Sequence, residues 1–414
     1  MNNEFLPRRV AVTGVGVTCP LGKSFDELLK RVYAGESSII ACEDRAKTYG
    51  LSTHLASVVE DFDEKSMPRQ LRRSMSRVAM FAVEATQKAI QNAGSPLEFL
   101  ESERTGLAYG STMGGTAAIE KGFASFVQRN DFDSVLSTSF LQMMSHTCGA
   151  NIATALGFRG RLIASSTACA SGLQAIGFAF ENIRFGICDT FMAGGAEEFH
   201  PFMVGVFDTM RATSVQYNHS PNLTPRPFDK DRDGLVVGEG AGTIILENWN
   251  NAVARGAKIY AEIVGFHTNS DGSHMTNPSV DGMERVMRGA LANAGLVPEQ
   301  ITYVNAHGTA TSVGDIAESQ AIQRVFGKKI PVSSVKGHFG HLMGASGVVE
   351  SIVCLGLLGD NKAIPTLNLT NVDPHCAEID YVIGELRNVE QEFILKNSFG
   401  FGGVNATAIF KKVR

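Results

Sequence analysis

Short apolar runs alternate along this chain with stretches in which apolar residues recur at helical spacing, the pattern of strands covered on both faces by helices. The first half opens on Arg9-Val10-Ala11-Val12-Thr13-Gly14-Val15-Gly16-Val17, and the second on Ile259-Tyr260-Ala261-Glu262-Ile263-Val264-Gly265-Phe266. Each run leads to an amphipathic helix. In the first half Met75, Val78, Ala79, Ala82, Ala85 and Ala89 recur before Asn92-Ala93-Gly94; in the second Met283, Val286, Met287, Ala290 and Leu291 recur before Asn293-Ala294-Gly295. Both helices stop on the same glycine signal.

The parallel extends further. Thr105-Gly106-Leu107-Ala108-Tyr109-Gly110-Ser111 corresponds in order to Thr302-Tyr303-Val304-Asn305-Ala306-His307-Gly308, and Leu162-Ile163-Ala164-Ser165-Ser166 to Ile330-Pro331-Val332-Ser333-Ser334. Gly240-Ala241-Gly242-Thr243-Ile244-Ile245-Leu246 then matches Gly403-Val404-Asn405-Ala406-Thr407-Ala408-Ile409. Five elements in one order predict an α/β protein built of two related halves, residues 1–255 and 256–414, whose two sheets pack around shared helices. If the copies pack about a pseudo-twofold axis, the two Ser-Ser strand ends converge. The first copy carries extra material near residues 36–68 and 113–160, where part of a dimer interface is expected.

Composition narrows the class. With 414 residues, 44% hydrophobic and 19% charged, the chain suits a large, well-buried body. A net charge of −5 without a basic block argues against nucleic acid, and the densest basic stretch, Arg69-Gln70-Leu71-Arg72-Arg73, reads as a solvated helix start. Cys19, Cys42, Cys148, Cys169, Cys188, Cys354 and Cys376 lack the paired spacing of a disulfide framework, which fits a reducing compartment. The polar start of the chain lacks the apolar stretch of a signal peptide, and the most apolar later stretch, residues 344–359, is interrupted by Glu350. A cytoplasmic protein with no membrane span is expected.

The candidate chemistry centres on Cys169, in Ser165-Ser166-Thr167-Ala168-Cys169-Ala170-Ser171-Gly172, where an apolar strand gives way to a helical pattern. A helix N-terminus there would stabilise a thiolate, and its free N–H groups could hold an oxyanion. His307, in Asn305-Ala306-His307-Gly308-Thr309, and His341, in Lys336-Gly337-His338-Phe339-Gly340-His341, each follow an apolar strand-like run among small residues. A cysteine with two such histidines is the working constellation, with His338 a weaker candidate. A buried Lys336 needs a carboxylate, and Glu350 lies one helical stretch further on. Asp315 and Glu318 open a helix and suit its positive end. Asn397-Ser398-Phe399-Gly400-Phe401-Gly402-Gly403-Val404-Asn405 forms a glycine-rich loop able to bring backbone N–H groups to a ligand while an aromatic ring blocks or opens a channel. Two other readings fail. Gly14-Val15-Gly16 lacks the third glycine of a dinucleotide fingerprint, since Cys19 stands there, and is read as a strand-to-loop turn; His200, His219, His267 and His274 lack zinc-ligand spacing.

Together these segments resemble the β-ketoacyl-[acyl-carrier-protein] synthases, condensing enzymes of the thiolase-like fold, and above all the elongating type II group. The resemblance runs from Val10 to Lys412 and is carried by the Cys169 segment, Ala193-Gly194-Gly195-Ala196-Glu197, Arg226-Pro227-Phe228-Asp229-Lys230-Asp231-Arg232-Asp233-Gly234, the two histidine segments and the C-terminal glycine loop. It implies a five-layered αβαβα architecture with two mixed sheets around buried helices. It further implies that Cys169 accepts an acyl chain from an acyl carrier protein. Malonyl-carrier protein then loses CO2, and its carbanion attacks the thioester. In that scheme His307 and His341 stabilise the enolate, backbone N–H groups of Cys169 and Phe401 form the oxyanion hole, and Lys336 and Glu350 order the site. Thr309 and Thr311 look like contacts to the phosphopantetheine arm, Phe401 like a gate with Phe399 beside it, and Met113 like part of the acyl pocket opposite. No metal or other cofactor is implied.

The third position also sorts the relatives. Initiating enzymes use Cys-His-Asn, whereas His341 fits the Cys-His-His elongating class; thiolases carry a second cysteine in the glycine loop, and residues 400–403 have none. Asn269-Ser270-Asp271-Gly272 and Gly314-Asp315-Ile316-Ala317-Glu318-Ser319-Gln320 look like ketosynthases of aryl-polyene clusters, so fatty-acid and polyene or polyketide roles are both implied. A homodimer is expected, or a heterodimer with a chain-length factor. The alternative function is that of such a non-catalytic partner subunit, which typically lacks the cysteine this chain keeps.

Overall fold

Strand β1 (Val10–Thr18) is buried along its whole length, because it lies at the middle of the sheet and is covered on both faces. The structure, a computed structural model, describes residues 7–413 apart from Pro96, Asp131, Asp133 and Ser134; the polar start at residues 1–6 lies outside the described residues. The first half adds helix α1 (Arg77–Ala93), β2 (Thr105–Gly110), β3 (Arg161–Ser165), α2 (Ser171–Arg184), β4 (Thr190–Glu197) and β5 (Gly240–Asn248). The second half repeats the series with β6 (Ala261–Ser270), α3 (Val280–Ala294), β7 (Tyr303–Asn305), α4 (Ser312–Phe326), β8 (Pro331–Ser333) and α5 (Ser346–Asp360). A short strand, β9 (Asp380–Tyr381), and the hairpin β10 (Phe393–Gly400) and β11 (Val404–Lys411) complete it.

Strand order shows the duplication. From one edge inward the first half reads β3-β2-β4-β5-β1, and from the other, after β9, the second reads β8-β7-β10-β11-β6. Each series is parallel through its first three strands and antiparallel thereafter. The halves match even in their irregularities. Pairing of β1 with β5 skips Thr13, pairing of β6 with β11 skips Val264, and a glycine follows each bulge. A Cβ at Gly14 would sit 2.5 Å from the Ala89 carbonyl oxygen, and one at Gly265 would sit 2.6 Å from that of Ala290. Both glycines let the outer helix lie directly on the sheet. Gly14-Val15-Gly16 is therefore strand interior, not the strand-to-loop turn its glycines suggest.

The thiolase-like α/β architecture is present, with one refinement. The two expected sheets are joined edge to edge, because Val10, Ala11 and Val12 of β1 pair with Ile263, Glu262 and Ala261 of β6, giving one continuous ladder of eleven strands. Helices α2 and α5 pack on each other and contact strands of both halves, while α1 covers the outer face of the first half and α3, with α4 packed beside it, that of the second. The interior side chains, among them Ile176, Phe180, Val349, Ile352 and Phe266, merge into the main apolar core. The stretch Met343–Asp360, long and apolar enough to cross a membrane, is 89% buried and is this interior helix.

Candidate active site

The nucleophile candidate sits on a strained bend. After β3 the chain makes one 3-10 turn, Ala168–Ala170, with Ala168 at φ 49°, before α2 begins at Ser171. Ser171 stabilises this bend by accepting the Thr167 N–H at 2.8 Å and donating to the Ala168 carbonyl at 2.7 Å. Cys169 thus lies just ahead of the helix, and only 4% of it is exposed. Burial pushes its thiol up to about 12, against the opposing pull of the Lys336 ammonium and of the N–H groups of Cys169 and Phe401. Burial thus works against the thiolate that the helix dipole favours, and outweighs the N–H groups and the cation.

Those N–H groups reach the sulfur because Gly400 lets the C-terminal hairpin press on the cysteine turn. A Cβ on Gly400 would lie 2.8 Å from the Thr167 carbonyl oxygen. The glycine-rich segment is less of a loop than its composition suggests. Phe399 and Gly400 end β10, Val404 starts β11, and only residues 401–403 turn, with Gly402 and Gly403 at positive φ. Phe401 is at the tip, its ring 5.2 Å from that of Phe207, while Phe399 is buried with its ring 6.1 Å from the His307 ring.

The remote histidines converge on Cys169, as the duplicated topology requires. His341 Nε2 lies 3.0 Å from Cys169 Sγ. Its Nδ1 accepts the Met343 N–H at 3.1 Å and lies 2.8 Å from the Ser346 hydroxyl, so the ring proton resides on Nε2 and points at the sulfur. His307 Nδ1 faces the Lys336 ammonium at 3.3 Å, which likewise leaves the proton on Nε2. The two rings stand edge to face with centroids 5.2 Å apart. Burial, reinforced by Lys336, holds both well below the ordinary histidine range, so both are neutral N–H donors. Ligand atoms of Cys169, His307 and His341 lie within 4.8 Å of one another, close enough for a metal. The donor set argues against one, because a ring whose Nδ1 accepts a hydrogen bond has no lone pair free at Nε2.

Behind the histidines lies a buried charge cluster. Lys336 Nζ donates to Glu350 Oε1 at 2.6 Å and to the His307 carbonyl at 2.6 Å, and both side chains are inaccessible. Asp315 and Glu318 do more than complement a helix end. Glu318 accepts the N–H groups of His307 and Gly308 at 2.8 and 2.7 Å, and Asp315 those of Phe228 and Ala310, because the chain folds back over the start of α4. Glu318 thereby fixes the backbone that carries His307. Sequence reading missed Lys396 and Ser346, and quoted Arg232 within a motif without giving it a role. Lys396 sits in the buried part of strand β10 with Nζ 2.7 Å from Glu350 Oε2, and Arg232 ties the carbonyls of Thr311 and Ser312 to Asp373.

A cavity of about 680 Å³ leads from the surface to Cys169, His307 and His341, and Thr309, Thr311, Phe399 and Phe401 line it. Thr309 and Thr311 join their hydroxyls at 2.9 Å. Met113 is outside that lining, on the apolar cluster of Phe207, Met203, Val204 and Met343 that backs the Phe401 ring. His338 and Phe339 are fully buried elsewhere. His338 Nδ1 bonds the Glu36 carbonyl and Phe339 joins the main core, so neither faces the cavity.

Residues 7–252 match the N-terminal domain of β-ketoacyl synthase, and residues 260–370 match its C-terminal domain. The chain belongs to the β-ketoacyl synthase family. It is 40% identical to the 3-oxoacyl-[acyl-carrier-protein] synthase 2 of Vibrio cholerae over 98% of this chain and 99% of that one. A crystal structure of a β-ketoacyl synthase from Burkholderia phymatum superposes with a TM-score of 0.95 at 46% identity, covering 98% of this chain and all of the other. The ishigamide ketosynthase/chain length factor superposes at 0.92 with 30% identity, covering 99% and 100%. For this β-ketoacyl synthase the matched stretches take in Cys169, both histidines, Lys336 and Glu350.

Proposed function

We propose that this β-ketoacyl synthase joins an acyl chain held on Cys169 to malonyl-[acyl-carrier-protein] with loss of CO2, giving a 3-oxoacyl-[acyl-carrier-protein] two carbons longer, in fatty-acid or polyene/polyketide synthesis in the cytoplasm. One observation carries the reading: two neutral histidines aim Nε2–H groups at the space beside a cysteine sulfur that also faces two backbone N–H groups. Half 1–255 supplies the nucleophile and half 256–414 both histidines.

In the first step Cys169 Sγ bonds to the acyl carbonyl carbon, the N–H groups of Cys169 and Phe401 hold the oxyanion, and the carrier's thiolate leaves with the thiol proton. Malonyl-carrier protein then occupies the cavity, its arm along Thr309 and Thr311. The bond to CO2 breaks, and its electron pair becomes an enolate whose oxygen accepts from His307 and His341. The enolate carbon bonds to the Cys169 thioester carbon, the C–S bond breaks, and the cysteine recovers a proton. Lys336 and Glu350 hold the His307 tautomer throughout, Phe401 gates the acyl pocket beside Met113, and Phe399 fixes His307. Incubating acyl-carrier and malonyl-carrier proteins with the purified chain should yield CO2 and the two-carbon-longer 3-oxo product by mass spectrometry. Absence of both from well-folded protein would reject the proposal.

A homodimer accompanies this function. Strand β3 is the sheet's outer strand, its Leu162 side chain is exposed, and Phe123, Phe140 and Leu141 of the helices at residues 116–143 are exposed as well. The partner proposed is a second copy; Leu162→Arg should convert the dimer to monomer by light scattering, and a monomeric native chain would reject it.

A further inference from the structure

Lys396 is a charged interior residue of the catalytic region that the mechanism above leaves idle. It lies in β10, paired to Asn305 of β7 and Ala408 of β11, with no accessible surface. A strand covered on both faces should be apolar there, and a lysine at such depth is costly unless matched. The match is Glu350. One of its oxygens takes Lys336 at 2.6 Å and the other takes Lys396 at 2.7 Å, and Lys396 also donates to the Asn397 carbonyl. Asn397 in turn contacts Glu318, the carboxylate that holds the His307 and Gly308 N–H groups. Two lysines and two glutamates make a buried group with no net charge.

We propose that Lys396 is a positioning residue of the condensing site, completing a charge-balanced cluster that keeps His307 and His341 as neutral donors aimed at the enolate oxygen. The inference rests on the donor role given to the histidines above. Groups facing Lys396 are Glu350 and Cys354 from α5, Lys336 from the short helix Lys336–Phe339, and Glu318 from α4. The positive charge of Lys396 also bears on both histidines, in the direction that disfavours their protonation. Without it the cluster is left with one net negative charge, and a proton on Nδ1 of either ring becomes easier to hold. Such a proton would break the acceptor contacts with Lys336 and the Met343 N–H that orient the rings.

Ring-nitrogen NMR of histidine-labelled full-length protein, assigned through single His307 and His341 replacements, reads this directly. It is paired with the pH profile of malonyl-carrier decarboxylation. Lys396→Gln keeps the length and a donor; Lys396→Met keeps neither charge nor donor. In both, the His307 and His341 titrations and the acid limb of decarboxylation should move up by about half a pH unit or more. Unmoved titrations in either folded variant would overturn the proposal. So would a glutamine variant that behaves as wild type, since a donor alone would then suffice, or the failure of both variants to fold, since the lysine would then be structural. A wild-type chain with neutral rings that does not decarboxylate would instead reject the reaction and leave the electrostatic role of Lys396 standing.

Discussion

The turn at Ala168–Ala170 and the turn at Met343–Ala345 have the same backbone. Each is a single 3-10 turn whose first residue is at φ 49°, and each runs into an interior helix that starts Ser-Gly. Cys169 occupies the middle of one, and Gly344 the middle of the other. The turns face each other so closely that a Cβ on Gly172 would lie 2.8 Å from the Gly344 carbonyl oxygen, and one on Gly347 would lie 2.5 Å from the Leu173 nitrogen. The difference is in what precedes them. Between β3 and its turn stand Ser166 and Thr167 alone, whereas residues 334–342 separate β8 from its turn and carry Lys336 and His341. Duplication supplied two equivalent bends; one became the place of the sulfur, and the longer approach to the other became its electrostatic surround.

Substitutions break this comparison in descending order of effect. Removing the sulfur with Cys169→Ala should lower condensation by about 10³-fold or more while malonyl decarboxylation persists, because the donors of the second half are intact. Intact-mass detection of the acyl adduct, beside a CO2 assay, checks both parts. His307→Ala and His341→Ala should each lower decarboxylation by about 10²- to 10³-fold, the cost of one oxyanion donor, with a smaller loss in acyl transfer to Cys169. Equal losses in both steps would assign the histidines to thiol activation instead.

The shared geometry of the two bends is tested by Gly172→Ala and Gly347→Ala. Each added methyl meets backbone from the opposite half, the Gly344 carbonyl of one turn or the Leu173 nitrogen in the first turn of α2, so both should cost about 1–3 kcal/mol in denaturant unfolding. A large cost in only one would mean that the turns relax independently. The smallest effect is expected at Glu197, whose Oε2 accepts the Thr112 and Gly344 N–H groups and so ties the sulfur-free turn to the first half. Burial raises this carboxyl to about 7, so its contribution to stability is full below the ordinary glutamate range and is lost as pH rises towards 7. Glu197→Gln should flatten the fall in melting temperature between about pH 4.5 and 7 by about 2 °C or more, with the part due to Asp315, also raised to about 7, remaining.

Much of this arrangement was legible in the residues. Cys169, His307 and His341 stand among small neighbours just past apolar runs, and the repeated order of those runs explains how distant positions meet. Lys336 and Glu350 were paired correctly because a lysine in an apolar setting has few alternatives. Lys396 escaped notice because it stands next to Asn397 and Ser398, where a lysine reads as the polar end of the Phe393-Ile394-Leu395 run, and its partner lies on a helix that Lys336 already accounts for. The repeat of β4 as β10 also went unseen, since Thr190–Glu197 and Phe393–Gly400 correspond only in their place in the ladder. The β1–β6 seam rests on three backbone pairs, and backbone pairing leaves no residue signature. Glu318 was misread because spacing alone places it at a helix start, while its actual partners come from the loop folded over that start.

The interior helix Ser346–Asp360 sets the order in which this chain can mature. Among the described residues it is the last helix to be synthesised, yet strands of both halves pack on it. A nascent first half therefore emerges with α2 on its inner sheet face but without the helix that α2 packs against, and it waits for residues 346–360 before that surface is covered. The hairpin at residues 393–411 then brings Phe401 to the sulfur, so a chain released before residue 393 has Cys169 and both histidines but neither Lys396 nor the Phe401 N–H. Closure of the core by residues 346–360 thus comes before completion of the candidate site by residues 393–411.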